Sequence, residues 1–177
     1  MIHIRPYRLD DAPDVFEAVR ESIPEVRPWM PWCHPDYSLE ESRAWLEIQV
    51  LAFEQSTAYE FAITSGDGRY LGGCGLNQID RINKRANLGY WVRTSAAGKG
   101  AATAAAKLVR DWGFRNADLN RLEIVVAAGN TASRRVAEKA GATEEGVLRR
   151  RLLLYGVSHD AVVYSFIGEG SNDDARA

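Results

Sequence analysis

Six residues, Gly98-Lys99-Gly100-Ala101-Ala102-Thr103, stand where an apolar, aromatic segment, Leu88-Gly89-Tyr90-Trp91-Val92-Arg93, gives way to an alanine-rich run. A strand, a glycine-bearing turn and a helix in that order leave backbone N–H groups without acceptors at the helix start. The helix dipole favours negative charge at the same place. The chemistry this spacing asks for is capture of an anion, most naturally a phosphate group. Two nucleotide signatures are excluded. Gly98-Lys99-Gly100-Ala101 has neither the spacing nor the hydroxyl of a Walker loop, and Thr103 stands where a dinucleotide fingerprint needs its third glycine.

Other residues offer proton chemistry. Glu60 and Glu123 fall in strand-like segments and are candidate general bases; the alternative for each is a solvated strand residue. Ser158-His159-Asp160 has the composition of a nucleophilic triad, but consecutive positions do not converge in that geometry, and a turn is expected there. Cys33 and Cys74, without a located histidine base, read as packing residues. Arg27-Pro28-Trp29-Met30-Pro31-Trp32-Cys33-His34-Pro35 is proline-restrained and rich in apolar ring surface. It either covers the core or walls a substrate cleft, with Trp29, Trp32, His34 and Tyr37 as the residues lining it.

The elements that must position these groups follow from periodicity. Ile2 to Pro6 alternates as an edge strand, and Asp10-Asp11 precede a short amphipathic helix with Pro13 in its first turn, ending before an irregular stretch from Pro24. Ser38 and Glu41 form a capping box for a helix to about Gln55. Three strands follow, Tyr59 to Ile63, Tyr70 to Ile79 and Asn87 to Val92, joined as an antiparallel meander. After the alanine-rich helix come a strand from Arg121 to Ala127, a helix from Asn130 to Gly141, and closing strands Gly146 to Tyr155 and Ala161 to Phe166. The fold class is mixed α/β, one largely antiparallel sheet flanked by helices. A single domain is expected over 1–167, with 168–177 a flexible tail.

Composition sets the class. A chain of 177 residues, 46% hydrophobic and 26% charged, suits one soluble domain. Its formal charge of -2, from 22 basic and 24 acidic residues, argues against direct nucleic-acid binding as the main activity. With no membrane-length apolar run, no signal-like start and two cysteines, a cytoplasmic protein is expected.

The run from Leu88 to Val92 and on through Ala97 to Thr103 resembles motif A of the GCN5-related N-acetyltransferase (GNAT) superfamily. Asn130-Thr131-Ala132-Ser133 with Val136, Glu138-Lys139 and Gly141-Ala142 is similar to the next family motif. Trp29 to Trp32 and Arg149 to Ser165 resemble the RimJ/RimL-type branch. The resemblance implies a sheet splayed between two parallel strands, with acetyl-CoA as cofactor in the opening. Backbone groups of Val92 and Arg93 would hold the pantetheine arm. Amides from Gly98 through Lys99, Gly100, Ala101 and Ala102 to Thr103 would hold the pyrophosphate, with Asn130 at the following turn. Ser133 would contact or protonate the CoA sulfur. Two positions depart from the family: Ala97 replaces a Gln or Arg, and Asn87 replaces a Glu that could serve as base. The implied reaction is direct acetyl transfer to a primary amine, a protein N-terminus (including that of a ribosomal protein) or a small molecule, with a homodimer common in the family. The rival reading is a non-catalytic acyl-CoA-binding or regulatory module using the same cleft.

Overall fold

The computed structural model describes residues 1–168. Its elements are β1 (Ile2–Pro6), α1 (Ala12–Val26), α2 (Leu39–Glu54), β2 (Tyr59–Ser65), β3 (Tyr70–Asp80), β4 (Arg85–Val92), α3 (Ala101–Asn116), β5 (Arg121–Ala127), α4 (Thr131–Ala140), β6 (Thr143–Leu154) and β7 (Val157–Ile167). The strands form one sheet in the order β1-β2-β3-β4-β5-β7-β6. Every neighbouring pair is antiparallel except β4 and β5.

That parallel pair shapes the molecule. β4 and β5 are in register only at Arg85↔Arg121, Ala86↔Leu122 and Asn87↔Glu123. Beyond them β4 stays on β3 as far as Val92↔Gly72, while β5 stays on β7 as far as Ala127↔Ala161. Each strand keeps its antiparallel partner and loses its parallel one, so the sheet opens into a wedge. Backbone groups of β4 past Asn87 are thereby left facing the gap, as polar groups that a ligand can satisfy.

The sheet has two apolar faces. Strict alternation along β2 sends Tyr59, Phe61 and Ile63 to the face covered by α3 and α4, and Ala62 to the face covered by α1 and α2. Alanine makes α3 strongly helix-forming and lets it lie close to the sheet: Ala101, Ala102, Ala105, Ala106 and Val109 are all buried.

Two expectations need correction. The first helix continues to Val26 with Pro24 inside it, because Arg27 N–H still closes a turn onto the Ile23 carbonyl at 3.0 Å. A proline this near a helix end removes only one bond of the ladder. The closing hairpin turns on two residues, Tyr155 and Gly156, both with positive φ (51° and 78°), as two-residue hairpin turns require. Ser158, His159 and Asp160 therefore belong to β7 and not to a turn. Their alternation along a strand removes the triad, and Asp160 accepts from the Arg150 N–H at 2.8 Å. The expected tail from 168 lies outside the described residues apart from Gly168, whose N–H donates to the Asn120 carbonyl at 2.9 Å.

Candidate active site

Two clefts meet at the opening of the sheet. The wedge cleft, of about 420 Å³, lies between the diverging strands and is bounded by the start of α3, the start of α4 and the end of α1. The aromatic cleft, of about 480 Å³, lies on the α1/α2 side of the sheet. Met30, Tyr90 and Trp91 line both, so the clefts join across the outer half of β4.

At the start of α3, Gly100 is the N-cap, with φ 82° and no side-chain cap. The first helical bond runs from Ala104 N–H to the Gly100 carbonyl at 3.0 Å. Among the described residues, the N–H groups from Gly98 to Thr103 meet no hydrogen-bond acceptor. Gly98 (71°) and Gly100 both take left-handed φ, the kind of backbone turn in which successive amides can converge on an anion. The arrangement fits the pyrophosphate of acetyl-CoA: donors are present and unused, and the loop borders a cleft of ligand size.

The first residues of α4 form the opposite wall. Asn130 caps the helix, its Oδ1 accepting from Ser133 N–H at 3.1 Å. Ser133 Oγ donates to the Tyr90 hydroxyl at 3.1 Å, and Tyr90 donates in turn to the Ser133 carbonyl at 2.9 Å. Burial raises the Tyr90 pKa, so the phenol stays protonated at any physiological pH. The pair places two hydroxyls where the clefts join.

On the aromatic side Glu60 pairs in register with Gly75. The glycine is required by close approach, since a Cβ there would lie 2.1 Å from Glu60 Oε2. Asn77 Nδ2 donates to Glu60 Oε1 at 3.0 Å, and Asn87 Nδ2 donates to Asn77 Oδ1 at 3.0 Å. Burial raises the Glu60 pKa, only partly offset by the Asn77 bond. A carboxyl so placed binds a proton more readily than an exposed one, which suits proton abstraction from an amine.

The wedge cleft gathers Val92, Ala97, Gly98, Gly100, Ala101, Ala102, Thr103, Asn130 and Ser133. The aromatic cleft gathers Trp32, His34, Tyr37 and Glu60. Four expected residues are placed differently. Arg93 is buried away from both clefts: its Nε donates to Glu21 Oε2 at 2.8 Å, it pairs with Glu17 at 2.6 Å, and its N–H bonds the Leu71 carbonyl at 2.8 Å. Lys99 keeps its amide in the loop, but its Nζ turns back to the Ser95 carbonyl at 2.7 Å. Trp29 lines the wedge cleft, against Gly129, and not the aromatic cleft. Glu123 is held by Arg121 at 2.8 Å and Arg85 at 3.4 Å and reaches neither cleft. Sequence reasoning missed Tyr90 as a site residue, and it missed Tyr7, Glu41, Trp45 and Asn77 in the aromatic cleft. Tyr90 alone carried a signal, since it sits inside the strand that feeds the phosphate loop.

Comparison with known proteins agrees with this geometry. The Bacillus subtilis (strain 168) protein named "Probable N-acetyltransferase YjcK" is 31% identical over 94% of this chain and 93% of its own length. Another protein of that strain, YdaF, is 40% identical over 57% of this chain and 55% of its own length. The solved structure of RimL, a ribosomal L7/L12 alpha-N-protein acetyltransferase in complex with coenzyme A, superposes with a TM-score of 0.88 at 25% identity, covering 96% of both chains. The microcin C7 self-immunity acetyltransferase MccE, solved with acetyl-CoA and AMP, gives 0.87 at 26% identity, covering 94% of this chain and 92% of its own. With residues 2–143 matching the family described as acetyltransferase (GNAT) domain, the chain belongs to the GNAT family of acetyl-CoA-dependent N-acetyltransferases, in its RimJ/RimL-type branch.

Proposed function

We propose that this enzyme acetylates a primary amine, the α-amino group of a protein N-terminus or a small-molecule amine, with both substrates held at once. The observation that carries this is the junction of the two clefts at Tyr90 and Trp91, with unused amides on one side and a half-buried carboxyl on the other. Bound acetyl-CoA supplies an activated acetyl thioester open to direct attack by the acceptor amine. The amides from Gly98 to Thr103 hold the pyrophosphate, and the free edge of β4 at Val92 orients the arm. The aromatic cleft receives the acceptor.

Glu60 is the general base. An alkyl ammonium of pKa near 10.4 is almost wholly charged at neutral pH, and an α-ammonium near 7.7–8.0 is still mostly so. A carboxyl whose proton affinity burial has raised takes that proton better than an exposed one. The Asn77–Asn87 chain fixes its orientation, so the carboxylate absent at position 87 stands two hydrogen bonds away at position 60. Ser133, with its hydroxyl on Tyr90, is the proton donor to the departing sulfur. The likeness to RimL, named for an α-N-protein substrate, supports a protein N-terminus, including that of a ribosomal protein, as one acceptor. Such a substrate places the enzyme in the cytoplasm.

Mass spectrometry of a peptide and metabolite mixture, after incubation with the protein and acetyl-CoA, tests the reading. Gain of one acetyl group on an amine is the expected result. Tight acetyl-CoA binding with every amine unmodified would refute it.

A further inference from the structure

The aromatic cleft carries a second carboxylate that the acetyl-transfer chemistry does not use. Glu41 lines the same cavity as Glu60 but lies at its half-exposed mouth, on the first turn of α2. It is held from two sides: Ser38 N–H donates to Oε2 at 2.8 Å, and His34 Nε2 lies 2.8 Å from Oε1. The Ser38 amide, with His34 adding to it, lowers its pKa below the ordinary carboxylate value. Glu41 therefore stays anionic under conditions in which Glu60 exchanges protons.

The wall running inward from this mouth is aromatic. Trp91 meets Trp32 edge to face at 5.5 Å, Trp32 meets Tyr37 at 6.3 Å, and Tyr37 meets His34 at 6.0 Å. Among the described residues, neither lysine nor arginine lines the cavity. Aromatic faces and a fixed carboxylate, with His34 as its side-chain partner and neither lysine nor arginine opposite it, form a lining that attracts positive charge and repels anions. The reacting amine does not keep such a charge through the attack, because its proton passes to Glu60 first, whereas a second cationic group would remain charged throughout.

We infer that the preferred acceptor carries a second cationic group beyond the amine that is acetylated, and that Glu41 and the Trp32 face receive it. This rests on the assignment of the aromatic cleft to the acceptor. The shared chemistry is an ammonium or guanidinium set back from a primary amine. A diamine provides it, and so does a peptide with Lys or Arg a few residues behind its N-terminus.

The test uses the full chain with saturating acetyl-CoA and follows CoA thiol release. One arm compares straight-chain alkylamines with α,ω-diamines of the same lengths. The other compares N-terminal peptides that differ only by Lys against Ala near the start. The dicationic member of at least one arm should show kcat/KM about tenfold higher, with the advantage shrinking as salt is raised. The arm in which it occurs identifies the source of the second charge. Glu41→Gln should bring the ratio of dication to monocation close to one; glutamine keeps the capping box, and a thermal melt checks the fold. Calorimetry on CoA-loaded protein should register the dication more tightly than the matched monocation, independently of turnover. Equal turnover of both members in both arms would overturn this inference and leave amine acetylation standing. A preference that survives Glu41→Gln would overturn the role of Glu41. Absence of turnover with every amine would remove the function proposed above and this inference with it.

Discussion

Glu60→Gln separates a base from a polar wall residue. The substitution keeps the shape of the side chain and an oxygen for Asn77 Nδ2, now at 3.0 Å from Glu60 Oε1, so the strand pairing over Gly75 has no reason to move. What is lost is the capacity to take a proton. General-base contributions run from about 10²- to 10⁴-fold, roughly 3–5 kcal/mol of barrier. The acceptor decides where in that range the loss falls. Near pH 7.5 roughly a third of an α-amine is already neutral, against about a thousandth of an alkylamine. Glu60→Gln should therefore cost close to 10²-fold with an N-terminal peptide and close to 10⁴-fold with an alkylamine. The assay is CoA thiol release across pH with both acceptors. In the variant, the rate should climb about tenfold per pH unit until the amine itself titrates, closing the gap to the native enzyme. Stability supplies an independent check of sign. Burial raises the Glu60 pKa, so the folded state holds this proton more tightly than the unfolded chain. Native stability then falls as pH rises from the unfolded carboxylate value through the folded one. Glu60→Gln should lack that decline. A variant that keeps the native rate with both acceptors at neutral pH would refute Glu60 as the base.

Other substitutions address other parts of the site. Ser133→Ala removes the hydroxyl bonded to Tyr90 and should lower kcat while leaving the calorimetric Kd for acetyl-CoA nearly unchanged; native turnover would reject a role as proton donor. Gly100→Ala puts a side chain at φ 82° in open space, so its cost of roughly 1–2 kcal/mol is dihedral strain, read as a lower Tm together with weaker acetyl-CoA binding. Glu21 is held down to about 2, first by Arg93 and then by the Ser95 amide. Its stabilising contribution is complete above the ordinary value of 4.5 and is lost as pH falls toward 2. Glu21→Gln should melt lower than the native protein at pH 7, and a difference that fails to narrow in acid would count against the pairing with Arg93.

Periodicity and punctuation determined most of the local structure. Alternation marked β2, the Ser38–Glu41 box marked the start of α2, and Gly141 marked the end of α4 in the left-handed conformation its role requires. The phosphate loop was legible because its chemistry is made of consecutive backbone amides, and such a group is written in consecutive letters. The aromatic cleft was legible only in part: Trp32, His34 and Tyr37 share one short stretch, whereas Tyr7, Glu41, Asn77 and Trp91 come from four separate segments. Only strand register and helix packing bring them to one cavity. Tertiary structure alone gave Glu60 and Glu123 different surroundings. Both sit on strands, but Arg85 and Arg121 neutralise one, whereas the other lies half-buried against Gly75 with a single amide partner. It also turned the Arg93 guanidinium away from both clefts, since a buried guanidinium goes where its carboxylates are, and Glu17 and Glu21 stand on α1. The amino-acid order determined what each segment can bind; the divergence of β4 from β5, a property of the whole sheet, decided which segments face one another.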